Sequence, residues 1–524
     1  MVKFFKEYLG IYSLIIAVSV AVHFKCVFYG ITNADDDVLI VGNIPFLQHF
    51  PNLLKVFTTD AFYLVKSIDL YRPLQSATFI LDAQWGNNTV FNAHLTNLLL
   101  HVVSCLTVYH LLLRLDFKHR LALVGALVYA VHYNFMTAVA WLPARGDLLL
   151  GLCTFLAMLT FIKSLENRGW SNILLHLIFF TLALFSKESA VVLPFLFVIY
   201  LFTYDKTGLL HKKHFVLPMY YIAIGSMYWV LKEAAVAVSS DGSGVIPFIK
   251  NLRILPETVA RFYLPVNIST LPAYKLSATL SGAVLISSLL LLHFYWRKCL
   301  RRQALFYPAW FLLFILPSMT YYPNFYSFCN DHIDHRSYVI CFGLLMITLN
   351  VIHLAAIESK KIFALAVFLL LVYLAALNLY FSRSYKNPIE FALRAIRTES
   401  NSTLAYSNYG IEKYKQGEDL EALRFLNASL RICDKFMPAL HYRARIFRMR
   451  GMSGAALADL DNIFSVDPEY DASDYALRGI IKADMQDPDG AKSDFESALR
   501  LNPTQVDAIN GLHELHIPGG AINK

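Results

Sequence analysis

The stretch FNAHLTNLLLHVVSCLTVYHLLL, residues 91–113, decides how this chain folds. It contains no Asp, Glu, Lys or Arg, and it is long enough to cross a bilayer, which takes about 20 apolar residues. Its polar residues are not scattered. His94, Asn97 and His101 are spaced i, i+3, i+7 and so share one helix face. A polar stripe inside a spanning helix turns towards the bundle interior. Such a stripe serves either as hydrogen-bonded glue between helices or as a substrate contact, and the pattern admits both. No cysteine or further carboxylate stands at ligand spacing beside it, so a metal is not expected there.

Runs of similar character lie near residues 8–29, 121–139, 147–163, 172–186, 189–204, 215–233, 276–296, 304–321, 337–357 and 362–382. With 91–113 they make about eleven spans. The composition agrees: 56% of residues are hydrophobic, 16% are charged and the mean hydropathy is +0.47. A soluble domain carries about a quarter charged residues. The formal charge of +8 comes from short basic clusters between apolar runs, a topology signal that argues against nucleic acid as a partner. None of the seven cysteines forms a CxxC, so neither a disulfide framework nor a zinc site is expected. Lys3 and Lys6 precede the first apolar run, which is read as a retained helix.

The basic residues fix a direction. Lys3/Lys6, Arg114/Lys118/Arg120, Lys163/Arg168, Lys206/Lys212/Lys213, Arg297/Lys298/Arg301/Arg302 and Lys360/Lys361 fall in alternate loops. The positive-inside rule makes that side cytoplasmic. The opposite side receives Asp35-Asp36-Asp37, the 132–147 segment, Lys187-Glu188, the 234–275 segment and residues 322–336. Arg253 to Ile268, with Pro256, Glu257, Arg261 and Pro265, is read as an interfacial or re-entrant helix, because a full span there would invert the 297–302 loop.

After about residue 385 the hydropathy falls and a repeat begins. Ala422, Ala456 and Ala491 recur about every 34 residues, Gly417 and Gly451 mark turns, and Asp467-Pro468 and Asn502-Pro503 end two of the repeats. This pattern resembles a tetratricopeptide (TPR) array, whose concave face takes peptides or partner proteins. The fold expected is therefore all-α: a polytopic membrane bundle over 1–384, with a first extracytoplasmic loop at 30–90, followed by a TPR-like solenoid over 385–524. An odd span count puts the repeats on the aspartate side.

Several motifs then occur in order: Tyr71-Arg72-Pro73-Leu74; the 91–101 block; Ala130-Val131-His132; Arg145-Gly146-Asp147; Ser186-Lys187-Glu188-Ser189; and His335-Arg336-Ser337-Tyr338. With the TPR tail, they resemble the GT-C-fold glycosyltransferases of the transmembrane-and-TPR (TMTC-like) group, similar to protein O-mannosyltransferases. The resemblance implies an inverting transfer of a sugar from a polyprenyl-phosphate donor to a protein or glycan hydroxyl on the extracytoplasmic face. It implies no cofactor beyond the lipid-linked donor, and it implies an acceptor presented by the TPR domain. Asp36 and Asp37 align with the family's paired acids, since Ile40 and Asn43 fall where that family has Ile and Asn. Asp36 is then the base. Arg72, His94, Asn97, His132, Arg145, Lys187 and Arg336 become substrate-binding candidates, with Arg336 first in line for the donor phosphate. Any of these cations could instead be paired internally, for example Arg145 with Asp147 or Lys187 with Glu188. The chain departs from the family at His132-Tyr133-Asn134-Phe135-Met136-Thr137, which lacks a second His and a Glu. A non-catalytic scaffold that recruits partners through its repeats is the competing reading. The setting expected is a multi-pass membrane protein, with the bacterial inner membrane preferred to the endoplasmic reticulum.

Overall fold

The computed structural model describes residues 2–515 except 64–69, 167–168, 211, 237–244, 296–301, 321–335, 360, 399–401 and 469–470. The described residues form helices joined by turns, in two compact units that change over between Arg394 and Ala395.

In the first unit, α1 (Val2–His23) is followed by four helices packed as a small cap: α2 (Asp36–Leu39), α3 (Ile44–Gln48), α4 (Asn52–Lys55) and α5 (Pro73–Ala83). Leu39, Ile40, Leu47, Val56, Phe79 and Ile80 form the core of this cap, so the expected first loop is a folded element. The bundle continues with α6 (Thr89–Arg114), α7 (His119–Val131), α8 (Met136–Ala140), α9 (Arg145–Glu166), α10 (Ser171–Ser186), α11 (Leu193–Thr203), α12 (Leu217–Ala235), α13 (Val245–Lys250), α14 (Ile254–Tyr263), α15 (Leu276–Tyr295), α16 (Phe306–Met319), α17 (Ser337–Leu354) and α18 (Phe363–Ser382). Local sequence sets the helix starts. Asn88 caps α6 by accepting from the Phe91 N–H at 3.0 Å, and prolines open α5, α11 and α12.

Each expected apolar run is helical, but the runs are not all equal. Among the described residues, six helices are long and apolar enough to cross a membrane, or seven if the bent pair α7–α8 is one span. That pair corrects the single span expected at 121–139: it bends by 53° where His132 takes an extended conformation. Within the 253–268 stretch, Ile254–Tyr263 form the largely buried helix α14. Its Glu257 and Arg261 pair at 3.2 Å with both side chains at most 1% exposed, and Glu257 also accepts from the Thr279 hydroxyl at 2.7 Å. Gly282 of α15 lies against the Pro256 backbone, where any side chain would collide.

Among the described residues, loops of each group bond to one another. In the basic group Arg114 pairs with Glu166 at 2.6 Å and Lys118 with Glu358. In the aspartate group, the Gly30 N–H donates to the Lys386 carbonyl at 3.0 Å, the Trp141 indole N–H donates to Thr32 Oγ1 at 3.1 Å, and Arg394 donates to the Ile268 carbonyl at 2.6 Å. The chain therefore leaves this unit beside the aspartate group, through α19 (Pro388–Thr398).

The second unit stacks helix pairs: α20 (Thr403–Lys415) with α21 (Asp419–Ile432), α22 (Met437–Met449) with α23 (Ser453–Val466), and α24 (Ala472–Asp484) with α25 (Pro488–Leu501). A final helix, α26 (Val506–Leu515), follows. Ala422, Ala456 and Ala491 are fully buried, as close helix pairing requires. Gly417 and Gly451 take φ of 78° and 70°, the left-handed turn that glycine adopts without strain. A repeated ion pair ties the two helices of each of the last two pairs: Arg443 to Asp459 at 2.6 Å and Arg478 to Asp494 at 2.7 Å.

Candidate active site

Asp35 ends a strained turn between α1 and α2, and Asp36 and Asp37 open α2. Asn33 and Asp35 have φ of 54° and 72°, a left-handed conformation that costs a non-glycine residue energy and often marks functional loops. The turn points the two acids in different directions. Asp36 is buried, with Oδ2 accepting from the Thr32 N–H at 2.7 Å and the Thr32 hydroxyl at 3.0 Å, and Oδ1 accepting from the Ala34 N–H at 3.2 Å. Burial raises its carboxyl to about 7, against the lowering pull of those donors. Asp35 reaches solvent. Its carboxyl is nonetheless ringed by protein, and this restricted hydration, with Asp37 adjacent, raises it to about 6 while Arg72 pulls it down. Asp36 thus holds the turn together, and Asp35 is the acid turned outwards. Asp37 is half-buried beside it.

Arg72 links this turn to a second group of charges. It stands just before α5 and faces Glu188 at 3.7 Å, longer than a hydrogen bond. Lys187, in extended conformation after α10, donates to Asp147 Oδ2 at 2.6 Å and is almost wholly buried. Burial lowers its ammonium to about 8; Arg72 and Arg336 press it down further, and Asp147 and Glu188 offset part of this. Arg336 lines a small recess with Asp147, Lys187, Ser189 and Ser318, and its Nε is buried without a hydrogen-bond partner among the described residues. Arg72, Lys187 and Arg336 therefore form one cluster in which three cations face two carboxylates. His335, the neighbour of Arg336 in the motif, lies outside the described residues.

Arg145 is elsewhere. It is fully buried, and each nitrogen of its guanidinium has a partner: Asn97 Oδ1 at 2.7 Å, Asp82 Oδ2 at 2.5 Å, Thr78 Oγ1 at 3.2 Å and the Ala93 carbonyl at 2.6 Å, with the Phe79 ring 4.1 Å away. Arg145 and Asn97, expected as substrate contacts, are both fully buried and bond one another, with Arg145 also held by Asp82 and the Ala93 carbonyl. Of the other polar-stripe residues, His101 is engaged at both ring nitrogens, whereas His94 keeps its Nδ1 buried without a hydrogen-bond partner among the described residues. His94 contacts the Gly30 carbonyl at 3.3 Å, and His101 contacts the Tyr338 hydroxyl at 2.9 Å and the Ala130 carbonyl at 3.2 Å. His132 is no better placed as a substrate contact. It lies between the Tyr133 and Phe262 rings, contacts the Phe262 carbonyl at 3.1 Å and accepts from the Asn134 N–H at 3.2 Å. Thr137, at the position where the family carries an acid, bonds the Tyr385 hydroxyl at 3.0 Å.

Asp82 had no role in the sequence reading, and Asp147 and Glu188 were read with other partners. Sequence proximity suggested Arg145–Asp147 and Lys187–Glu188; the fold instead pairs Arg145–Asp82, Lys187–Asp147 and Arg72–Glu188. The available signal was Asp82 itself, a lone acid in an apolar segment nine residues before the 91–113 span.

The family described as dolichyl-phosphate-mannose-protein mannosyltransferase matches residues 80–229, which include Asp82, Arg145 and Lys187. The protein O-mannosyl-transferase Tmtc1 of Drosophila melanogaster is 34% identical over 122 residues, 23% of this chain and 14% of the fly protein. Tmtc3 of the same organism is 29% identical over 218 residues, 36% of this chain and 23% of that protein. Human TMTC1 is 37% identical over 98 residues, 18% and 11% of the two chains. This chain resembles the TMTC group of protein O-mannosyl-transferases. The alignments with these three relatives span 11% to 23% of their own length. Among solved structures, the first TPR of Spaghetti (RPAP3) bound to an HSP90 peptide matches 22% of this chain and 92% of its own, at 23% identity and a TM-score of 0.21.

Proposed function

We propose that this protein is a membrane glycosyltransferase that moves a sugar, mannose being the first to test from its relatives' names, from a polyprenyl phosphate to a protein hydroxyl. The observation that carries the reading is the convergence of Asp35 with Arg72, Lys187 and Arg336 at one end of the bundle. Arginine forks and a buried ammonium suit a lipid phosphate, and an outward carboxyl raised to about 6 suits a general base near neutral pH. The acceptor oxygen attacks the anomeric carbon as its proton passes to Asp35. The bond from that carbon to the phosphate oxygen breaks, and the phosphate leaves with the electron pair into the cation cluster. One displacement inverts the anomeric centre. Asp36 takes the supporting role of fixing the turn, in place of the base role that the alignment gave it.

The positive-inside argument makes the reacting face extracytoplasmic, a face shared in kind by the bacterial inner membrane and the endoplasmic reticulum. The repeat unit follows α19 from that end and would present the acceptor. The test is incubation of the purified full chain with labelled polyprenyl-phosphate mannose and an acceptor protein, with product read by mass spectrometry. Transfer by the unaltered chain and its loss in Asp35→Asn support the reading. Undiminished transfer by Asp35→Asn overturns the assignment of the base, and no transfer from any polyprenyl-phosphate sugar overturns the activity.

A further inference from the structure

We propose that the cap formed by α2–α5 rests on the bilayer, with Leu81, Trp85 and the neighbouring Phe50 seated in the interfacial layer of lipid headgroups. The height of Trp85 is fixed by bonds to a spanning helix. On the first turn of α6, Asn92 donates to the carbonyls of Trp85 and of Asp82, the latter at 2.9 Å. One turn further on, the Thr96 hydroxyl donates to the Asp82 carboxylate at 2.6 Å. The same bonds fix direction. Asn92 shares a helix face with Leu95, Leu99 and Val103, at spacings of three, seven and eleven residues. Those three are the exposed apolar residues of the first turns of α6, its lipid-facing stripe. Trp85 therefore stands at the top of a lipid-facing stripe, level with the end of the span.

The exposed side of the cap fits that position. Trp85 is 77% exposed and Leu81, one turn earlier, 46%. The Gln84 amide donates to the Leu47 and Gln48 carbonyls at 3.0 and 3.3 Å, which brings the turn bearing exposed Phe50 alongside. Three large, exposed apolar side chains make an unfavourable surface in water, but an amphipathic indole is at home among headgroups. α5 then spans about 16 Å from this lipid contact to Arg72 at its other end, so the bilayer surface sets the height of one arm of the charge cluster.

The experiment uses the full chain in lipid nanodiscs whose acyl chains carry bromine either near the carbonyls or near the methyl ends. The chain has six tryptophans, so the Trp85 signal is the emission lost in Trp85→Phe, a conservative change at an exposed site. That signal should be quenched more strongly by the shallow bromine than by the deep one. Emission unaffected by either lipid, or quenched more by the deep one, overturns the proposal. As a second reading, Leu81→Glu should lower binding of lipid-attached polyprenyl phosphate while leaving the melting temperature unchanged. Unchanged binding overturns the link between the lipid contact and Arg72, and a melting temperature lowered in parallel with binding overturns it in favour of general unfolding.

Discussion

Arg145 and Arg336 begin alike in the sequence: each is an arginine at the aspartate-side end of a span, and each could hold a phosphate. The fold treats them oppositely. Arg145 is completely enclosed and every nitrogen of its fork has a partner, so it clamps α5 onto α6 through Asp82. Arg336 borders a small recess, and its Nε has no hydrogen-bond partner among the described residues. A cation serves a ligand only where the protein has not already spent its hydrogen bonds, so saturation, more than charge or span position, separates the structural arginine from the candidate binding one.

The contrast can be broken most directly at the clamp. Arg145→Met leaves Asp82 buried and unpaired, and should cost about 3–5 kcal/mol, read as a lowered melting temperature in detergent. The added change Asp82→Asn should restore part of the loss. A variant that melts normally but no longer binds donor would put Arg145 back in the site. Next in size, Asp35→Asn should reduce turnover about 10²–10⁴-fold with an unchanged melt. Asp36→Asn should instead show mainly a stability loss of about 1 kcal/mol, since one amide group faces a backbone donor; a reversal of the two phenotypes would return the base to Asp36. Arg72→Gln and Arg336→Gln should each weaken donor binding about tenfold, read in KM or in direct binding of a polyprenyl phosphate, with the fold intact.

The smallest effect is on pH. The Asp35 carboxyl, raised to about 6, acts as a base only above that value, and the Lys187 ammonium, lowered to about 8, keeps its charge only below it. Activity should therefore rise through about pH 6 and fall through about pH 8. Because Arg336 presses Lys187 downwards, Arg336→Gln should shift the alkaline limb to higher pH; an unmoved limb would separate the two cations.

The helical runs were legible because apolar length and repeat period are local properties. The 422/456/491 alanines announced the paired helices, and the 91–113 run announced a span with an inward polar stripe. The cap over 30–90 was not legible, since its core joins short segments far apart in the chain, such as Leu39 and Phe79. The partners of the cations were not legible either. Lys187 lies beside Glu188 in sequence, but its extended backbone turns its amine to Asp147, forty residues away.

The sequence by itself determined the all-helical class and the division into a long apolar part and a shorter repeat part, and it nominated the candidate charged residues. Each of these follows from hydropathy, spacing and the alternation of basic loops. Only the tertiary structure decided which of those charges are consumed and which stay open. A hydrogen-bonding group is satisfied by whatever the fold places within about 3 Å, and in this bundle that neighbour is rarely the neighbour in sequence.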